Sequence, residues 1–127
     1  MRLERRGSER GQAAVELTLA LPLLAAVALV LLQVALVFRD QLVLTHAARE
    51  AARAAAVDGD PGEARRAATD GSGLDPGRLL VSQGPRGRPG SQVTVRATYD
   101  APTDVPVVGA LVGDVRLTQT VTIRVER

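Results

Sequence analysis

With 127 residues the chain has room for one domain, and the absence of cysteine excludes disulfides, thiolate nucleophiles and thiolate metal sites. Its only aromatic residues are Phe38 and Tyr99, which argues against a stacking surface for single-stranded nucleic acid. All 16 basic residues are arginine. The net charge of +2 is therefore interpreted mainly as a compositional bias and not as evidence for a particular binding partner.

The first 11 residues form a basic leader. Arginines outnumber glutamates in it: Arg2, Arg5, Arg6 and Arg10 against Glu4 and Glu9. Because basic flanks of a membrane segment stay on the cytoplasmic side, the N-terminus is predicted to be cytoplasmic and the rest of the chain to lie outside.

Residues 17–38 contain no charge and are interrupted only by Thr18, Pro22 and Gln33. At about 1.5 Å per residue this run forms a helix of about 33 Å, which matches a hydrocarbon core of about 30 Å. It is too long for a secretory signal peptide, and the obvious small-x-small triplet at 54–56 lies well beyond it. A domain of this size cannot surround such a helix either. The run therefore predicts one transmembrane helix.

This helix is expected to continue through residues 39–57, which contain no glycine or proline. Alanines spaced by four residues form a smooth stripe there: Ala47, Ala51 and Ala55, and beside them Ala48, Ala52 and Ala56. The stripe indicates close packing, either against the chain's own domain or against other helices of an assembly, and its spacing favours neither. His46, the only histidine, has no second ligand in register, so no metal site is predicted.

Residues 58–127 are predicted to form an extracytoplasmic α+β domain. The segment 60–63 (Asp-Pro-Gly-Glu) has the pattern of a helix start, and the helix is expected to run to Thr69 and to end at Gly71. Asp58 and the aspartate at 60 lack the further ligands of a calcium loop, so they are interpreted as capping residues.

Three strand-like runs follow, at 78–83, 92–100 and 115–126. In the last two, apolar side chains alternate with polar ones and share one face: Val93, Val95, Ala97 and Tyr99, then Val115, Leu117, Val121, Ile123 and Val125. The pattern predicts an antiparallel sheet with one buried face. The fold class is therefore α+β, with a long N-terminal transmembrane helix continuing outside the membrane, a short helix and about three strands.

The connection at residues 105–113 is apolar where polar turn residues are expected. It needs a cover, and three interpretations remain open. It dips to the membrane surface, it touches a partner subunit, or it closes the end of the sheet.

Residues 85–89 (Pro-Arg-Gly-Arg-Pro) resemble the core of an AT-hook, which binds the minor groove of DNA. A single copy between two strands, outside the membrane, is already explained as a strand connection. No nucleic-acid partner is predicted.

Glu16 lies where lipid is expected to begin. By itself it marks the membrane boundary or benefits from the helix dipole. Cleavage after Gly11 would place a new ammonium at Gln12, four residues from the Glu16 carboxylate. Pairing lowers the cost of either charge beside lipid. The pair forms within one helix or between two subunits, where it would set their axial register, and we favour the second.

A basic leader ending in glycine, then Gln12-Ala-Ala-Val-Glu16 and a long apolar helix, resembles a type IV prepilin signal, which a membrane aspartic peptidase cuts after the glycine. The stretch 13–22, with Ala-Ala-Arg-Glu-Ala-Ala-Arg at 47–53, resembles the TadE-like proteins of tight-adherence pilus systems. The resemblance extends over residues 10–57. Leu17 stands where many members have phenylalanine, a conservative difference.

The resemblance implies a minor pseudopilin-like component of a tight-adherence (Flp-type) pilus assembly and secretion system, single-pass in the cytoplasmic membrane, within the pilus or at its base. Its expected partners are other pilus-assembly pseudopilins, the major pilin, and the prepilin peptidase as processing enzyme. The expected organisation is a cleaved leader (1–11), the membrane and juxtamembrane helix (12–57) and the outer domain (58–127). We assign Gly11, Gln12 and Glu16 to processing, and Glu16, Ala47, Ala51 and Ala55 to assembly.

No catalytic constellation is recognisable, so the chain is predicted not to be an enzyme and to need no cofactor. The alternative function is a single-pass, membrane-anchored binding domain unrelated to pili.

Overall fold

The structure, a computed structural model, describes the backbone of residues 4–126 and the side chains of residues 11–126. The elements in chain order are α1 (Glu4–Val57), α2 (Pro61–Thr69), β1 (Leu79–Gln83), β2 (Gln92–Ala101), α3 (Val108–Val112) and β3 (Val115–Arg124). The predicted α+β fold is confirmed. Of the basic leader, residues 1–3 and the side chains of residues 4–10 lie outside the described part of the chain.

Helix α1 is continuous over 54 residues, or about 81 Å at 1.5 Å per residue. It passes through Pro22, which has no N–H to donate to the carbonyl of Thr18. The hydroxyl of Thr18 donates to the carbonyl of Ala14 at 2.7 Å. Transmembrane helices tolerate such a proline, and the helix connects the apolar segment to the outer domain without a break.

Helix α2 begins and ends as the sequence predicts. The Asp60 carboxylate accepts a hydrogen bond from the Gly62 N–H at 2.9 Å, and Asp58 accepts one from the Asp60 N–H at 3.1 Å. The helix ends at Thr69, and Gly71 follows with a φ of +73°, which favours glycine. Both aspartates therefore serve as local caps.

The sheet has the strand order β1-β2-β3, and both pairs are antiparallel. On the central strand, the side chains of Val93, Val95 and Ala97 are completely buried. The inward side chains of β3, from Val115 to Ile123, are only partly buried because β3 lies at the edge of the sheet. The predicted alternation is confirmed in both strands, and the inward side chains of β2 are more completely buried than those of β3.

The core lies between the inner face of the sheet, α2 and the outer half of α1. It contains Leu44 and the alanines of α1, Ala64 and Ala68 of α2, and the inward residues of β2. Small side chains on both helices let them approach each other and the sheet closely.

The apolar connection between β2 and β3 folds back on itself and forms α3. Val105 and Val108 are buried and close the end of the sheet at which β2 ends and β3 begins. Gly109 is required here, because a Cβ at this position would collide with the carbonyl oxygen of Thr103. The hydroxyl of Thr103 donates to the Gly113 carbonyl and ties the two ends of the connection together.

Candidate functional site

Residues 17–32 of α1 present apolar side chains on every side. These side chains are about half exposed or more: Leu17, Leu19, Leu21, Leu23, Leu24, Val27, Val30, Leu31 and Leu32. A helix that is apolar all round needs a cover, and the outer domain does not supply it here. Within the described residues, one helix is long and apolar enough to cross a membrane, over Gly11–Val57. The arrangement is that of a single-pass membrane anchor.

The residues assigned to processing lie together near the start of this apolar surface. Gln12 and Glu16 are four residues apart on α1, so their side chains share one helix face, and both are exposed. A Cβ at Gly11 would meet no atom within 4 Å. Packing within the described chain therefore gives no reason for glycine at this position.

The alanines assigned to assembly have a different environment. Ala51 and Ala55 are completely buried and Ala47 nearly so, all within the chain's own core. Ala47 lies beside Ala67 and Ala68 of α2, where the two helices line a shallow cleft. Of the two interpretations left open by the sequence, the structure favours packing against the chain's own domain. These side chains are not available to a neighbouring subunit.

The segment 47–53 thus divides into two faces. Its alanines point into the core, whereas Arg49, Glu50 and Arg53 are exposed on the opposite side of α1. A partner that approached this part of the helix would meet the charged face.

The end of α1 is capped by a residue that sequence reasoning assigned only to a strand connection. Arg86, the first arginine of the AT-hook-like segment, donates from Nη2 to the carbonyls of Ala56 and Val57, each at 3.1 Å. The last turn of α1 has no basic residue of its own. A cation from elsewhere satisfies its terminal carbonyls and the negative end of its dipole. The absence of a basic residue from the last turn of α1 was the signal in the sequence that could have indicated a cation supplied by another segment.

Two ion pairs lie at the end of the sheet where β2 ends and β3 begins. Arg78 contacts Asp114 at 2.7 Å, and Arg116 contacts Asp100 at 2.8 Å. The hydrogen bond from Arg78 lowers the pKa of Asp114, and the same bond raises the pKa of Arg78. The hydrogen bond to Asp100 likewise raises the pKa of Arg116.

An apolar groove of about 430 Å³ separates α1 from α3 and the start of β3. Its walls are Val30, Gln33, Val34, Val37, Phe38 and Gln41 on α1, with Val108, Val112, Val115 and Leu117 opposite. Gln33 is only 6% exposed, and neither atom of its side-chain amide has a hydrogen-bond partner in the described chain. The sequence did not reveal this groove, because its walls are brought together by tertiary packing alone.

The fold and the uncovered helix define a class: a small α+β domain carried by one long membrane-anchoring helix. Within that class, residues 11–53 match the family model described as TadE-like protein, which confirms the resemblance predicted from the sequence. The match includes Gly11, Glu16 and the alanine stripe up to Ala52. No curated protein and no solved structure matches the chain.

Proposed function

We propose that this chain is a minor pseudopilin-like component of a tight-adherence pilus assembly and secretion system, and that it acts as an assembly part without catalytic activity. The observation that carries the proposal is the match of residues 11–53 to TadE-like proteins, which covers both the Gly11-to-Glu16 motif and the helix. We further propose that α1 spans the cytoplasmic membrane, with the basic leader inside and the sheet domain outside.

The geometry at the start of α1 supports proteolytic processing. Glycine inside a helix costs about 1 kcal/mol relative to alanine, and Gly11 makes no close contact that would compensate for this cost. Recognition by a prepilin peptidase supplies a reason for the glycine. Cleavage after Gly11 would leave the ammonium of Gln12 one helical turn from the carboxylate of Glu16.

The exposure of Glu16 supports a role in assembly. Its side chain lies on the surface of α1, beside a long apolar segment that the outer domain does not cover. A carboxylate at the lipid boundary gains from an opposite charge on a neighbouring helix. We therefore propose that Glu16 pairs with the N-terminal ammonium of an adjacent subunit and sets the axial register of the packed helices.

The first test is N-terminal sequencing of the chain expressed in a host with an active prepilin peptidase. The mature chain is expected to begin at Gln12. Gly11→Val should block processing, whereas Gly7→Val, at the other glycine of the leader, should not. A chain that retains Met1 to Gly11 in this host would refute the proposal and leave a membrane-anchored binding domain unrelated to pili.

The second test is Glu16→Gln in the processed protein. We expect normal membrane insertion but several-fold less of the chain in the purified pilus apparatus. Glu50→Gln is the matched control, because Glu50 is an exposed carboxylate on the same helix outside the apolar segment. Normal incorporation of the Glu16→Gln chain would contradict the pairing role while leaving the processing result standing.

A further inference from the structure

The apolar tip of the outer domain, residues 105–113, has side chains that nothing in the described chain covers. Val107 and Val112 are exposed, and Leu111 at the tip is 80% exposed. No charge occurs between Asp104 and Asp114. We propose that this tip inserts into the outer leaflet of the membrane that α1 spans, and that lipid acyl chains fill the groove between α3 and α1.

The height of the tip along α1 follows from how β3 runs beside that helix. Gln41 donates from its side-chain amide to that of Gln119, and the backbone N–H of Glu126 donates to the carbonyl of Ala56, both at 3.3 Å. Between these contacts α1 rises by about 22 Å, at 1.5 Å per residue, and the extended chain of β3 and the two residues after it rises by about 24 Å, at 3.4 Å per residue. Strand and helix therefore advance together, away from α3.

The same arithmetic fixes the level of the strand's first residue. Val115 precedes Gln119 by about 14 Å of strand, which equals about nine residues of helix. It therefore lies near the level of residue 32 on α1. The groove agrees, because Val108, Val112 and Val115 line it opposite residues 30–41 of α1.

This level is below the end of the apolar run. The run ends at Phe38, and residue 32 lies about 9 Å nearer the membrane centre at 1.5 Å per residue. Apolar faces of interfacial helices are buried about 5–10 Å into the boundary between headgroups and acyl chains. The start of β3, next to the tip, therefore lies about 9 Å inside the end of the apolar run, within the depth range of such helices.

Of the five charged side chains near the tip, four form two ion pairs and the fifth, Asp104, is exposed. The amide of Gln33, costly to expose to lipid, is covered by the domain at the level where the domain enters the membrane. The carboxylates of Asp100 and Asp114 near the tip are paired with Arg116 and Arg78. The Arg39 side chain, 72% exposed, is the first charge after the apolar run and can reach lipid phosphates.

The occupant is lipid rather than a partner subunit because the groove continues directly into the lipid-facing surface of α1. Val30, Val34 and Phe38 belong at once to the groove and to the exposed apolar side of the helix. A lipid chain beside α1 therefore enters the groove without crossing a polar barrier. The inference depends on α1 crossing a membrane and not on the pilus assignment.

The test uses the full chain, one copy per nanodisc, in a bilayer of phosphatidylethanolamine and phosphatidylglycerol. The chain has no native cysteine, so Leu111→Cys introduces a single site for an environment-sensitive fluorophore. The matched control is Val57→Cys, an exposed aliphatic residue at the outer end of α1. It lies about 28 Å beyond Phe38 at 1.5 Å per residue.

The label at position 111 is expected to emit at shorter wavelength than the label at 57, and to be quenched several-fold more by brominated acyl chains. Equal quenching at both positions, with water-like emission at 111, would overturn the proposal. Protection at 111 that appears only in discs with two or more copies would also overturn it, because a second subunit would then be the occupant.

Discussion

Replacing Ala51 by leucine distinguishes the two environments considered for the alanine stripe. Ala51 is completely buried in a core of small side chains from α1, α2 and β2. Leucine adds three carbon atoms at a completely buried position, and overpacking of this kind typically costs about 1–3 kcal/mol. A domain of roughly 70 residues has a free energy of unfolding of about 4–10 kcal/mol. We therefore expect Ala51→Leu to remove a large fraction of the stability.

The assay is thermal unfolding of the full chain in detergent micelles, followed by the fluorescence of Tyr99. This residue is the only tyrosine, the chain has no tryptophan, and its side chain is buried in the same core. Each kcal/mol lowers the Tm of a small domain by about 4–8 °C. The expected decrease for Ala51→Leu is thus about 4–24 °C.

The control is Ala54→Leu, which adds the same atoms at a partly exposed position of the same helix. Its effect should stay within about 0.5 kcal/mol, as for most surface substitutions. The reasoning fails if Ala51→Leu unfolds like the unmodified chain but is lost from the assembled apparatus. That result would place the stripe at an interface between subunits.

Two further predictions concern polar contacts of the outer domain. Arg86→Ala removes two charged hydrogen bonds to the end of α1 and should cost about 1–3 kcal/mol in the same unfolding assay. Arg88→Ala, the exposed arginine of the same segment, should change little, and equal effects of the two would contradict the capping role. Because the pKa of Asp114 is lower in the folded state, its ion pair stabilises the fold above a pH of about 4 and is lost as the pH falls through the folded pKa. Asp114→Asn should therefore reduce the acid sensitivity of the Tm, and an unchanged pH profile would contradict this contribution.

Local patterns in the sequence were sufficient for most of the fold. Alternation in 92–100 and 115–126 predicts strands because side chains on a strand point to opposite faces in turn. The observed strands, Gln92–Ala101 and Val115–Arg124, begin where predicted and end within two residues of the predicted limits. The cap at Asp60 was also predictable, because its contacts lie within a few residues of chain.

Contacts between distant segments were not predictable in the same way. The alanine stripe indicates close packing but not its partner, because small side chains favour close approach to any neighbour. The small inward side chains of β2, Ala97 and Ala101, complement the stripe, but only the tertiary arrangement brings them to it. Arg86 reaches the end of α1 across 29 residues of sequence, and no periodicity encodes that contact.

The positions of Glu16 and α3 along α1 are consistent with a single bilayer. From Glu16 to Gln33 the helix rises by about 26 Å, and a hydrocarbon core of about 30 Å extends about three residues further, to the level of Leu36. The groove beside α3 faces residues 30–41, so it begins about 9 Å inside that boundary and extends across it, and Arg39 lies about 4.5 Å outside it. A carboxylate at one surface and an apolar tip at the other would together resist movement of the chain along the membrane normal. If the subunit is drawn towards a fibre, a neighbouring helix must then offer Glu16 an opposite charge, and lipid must leave the groove beside α3.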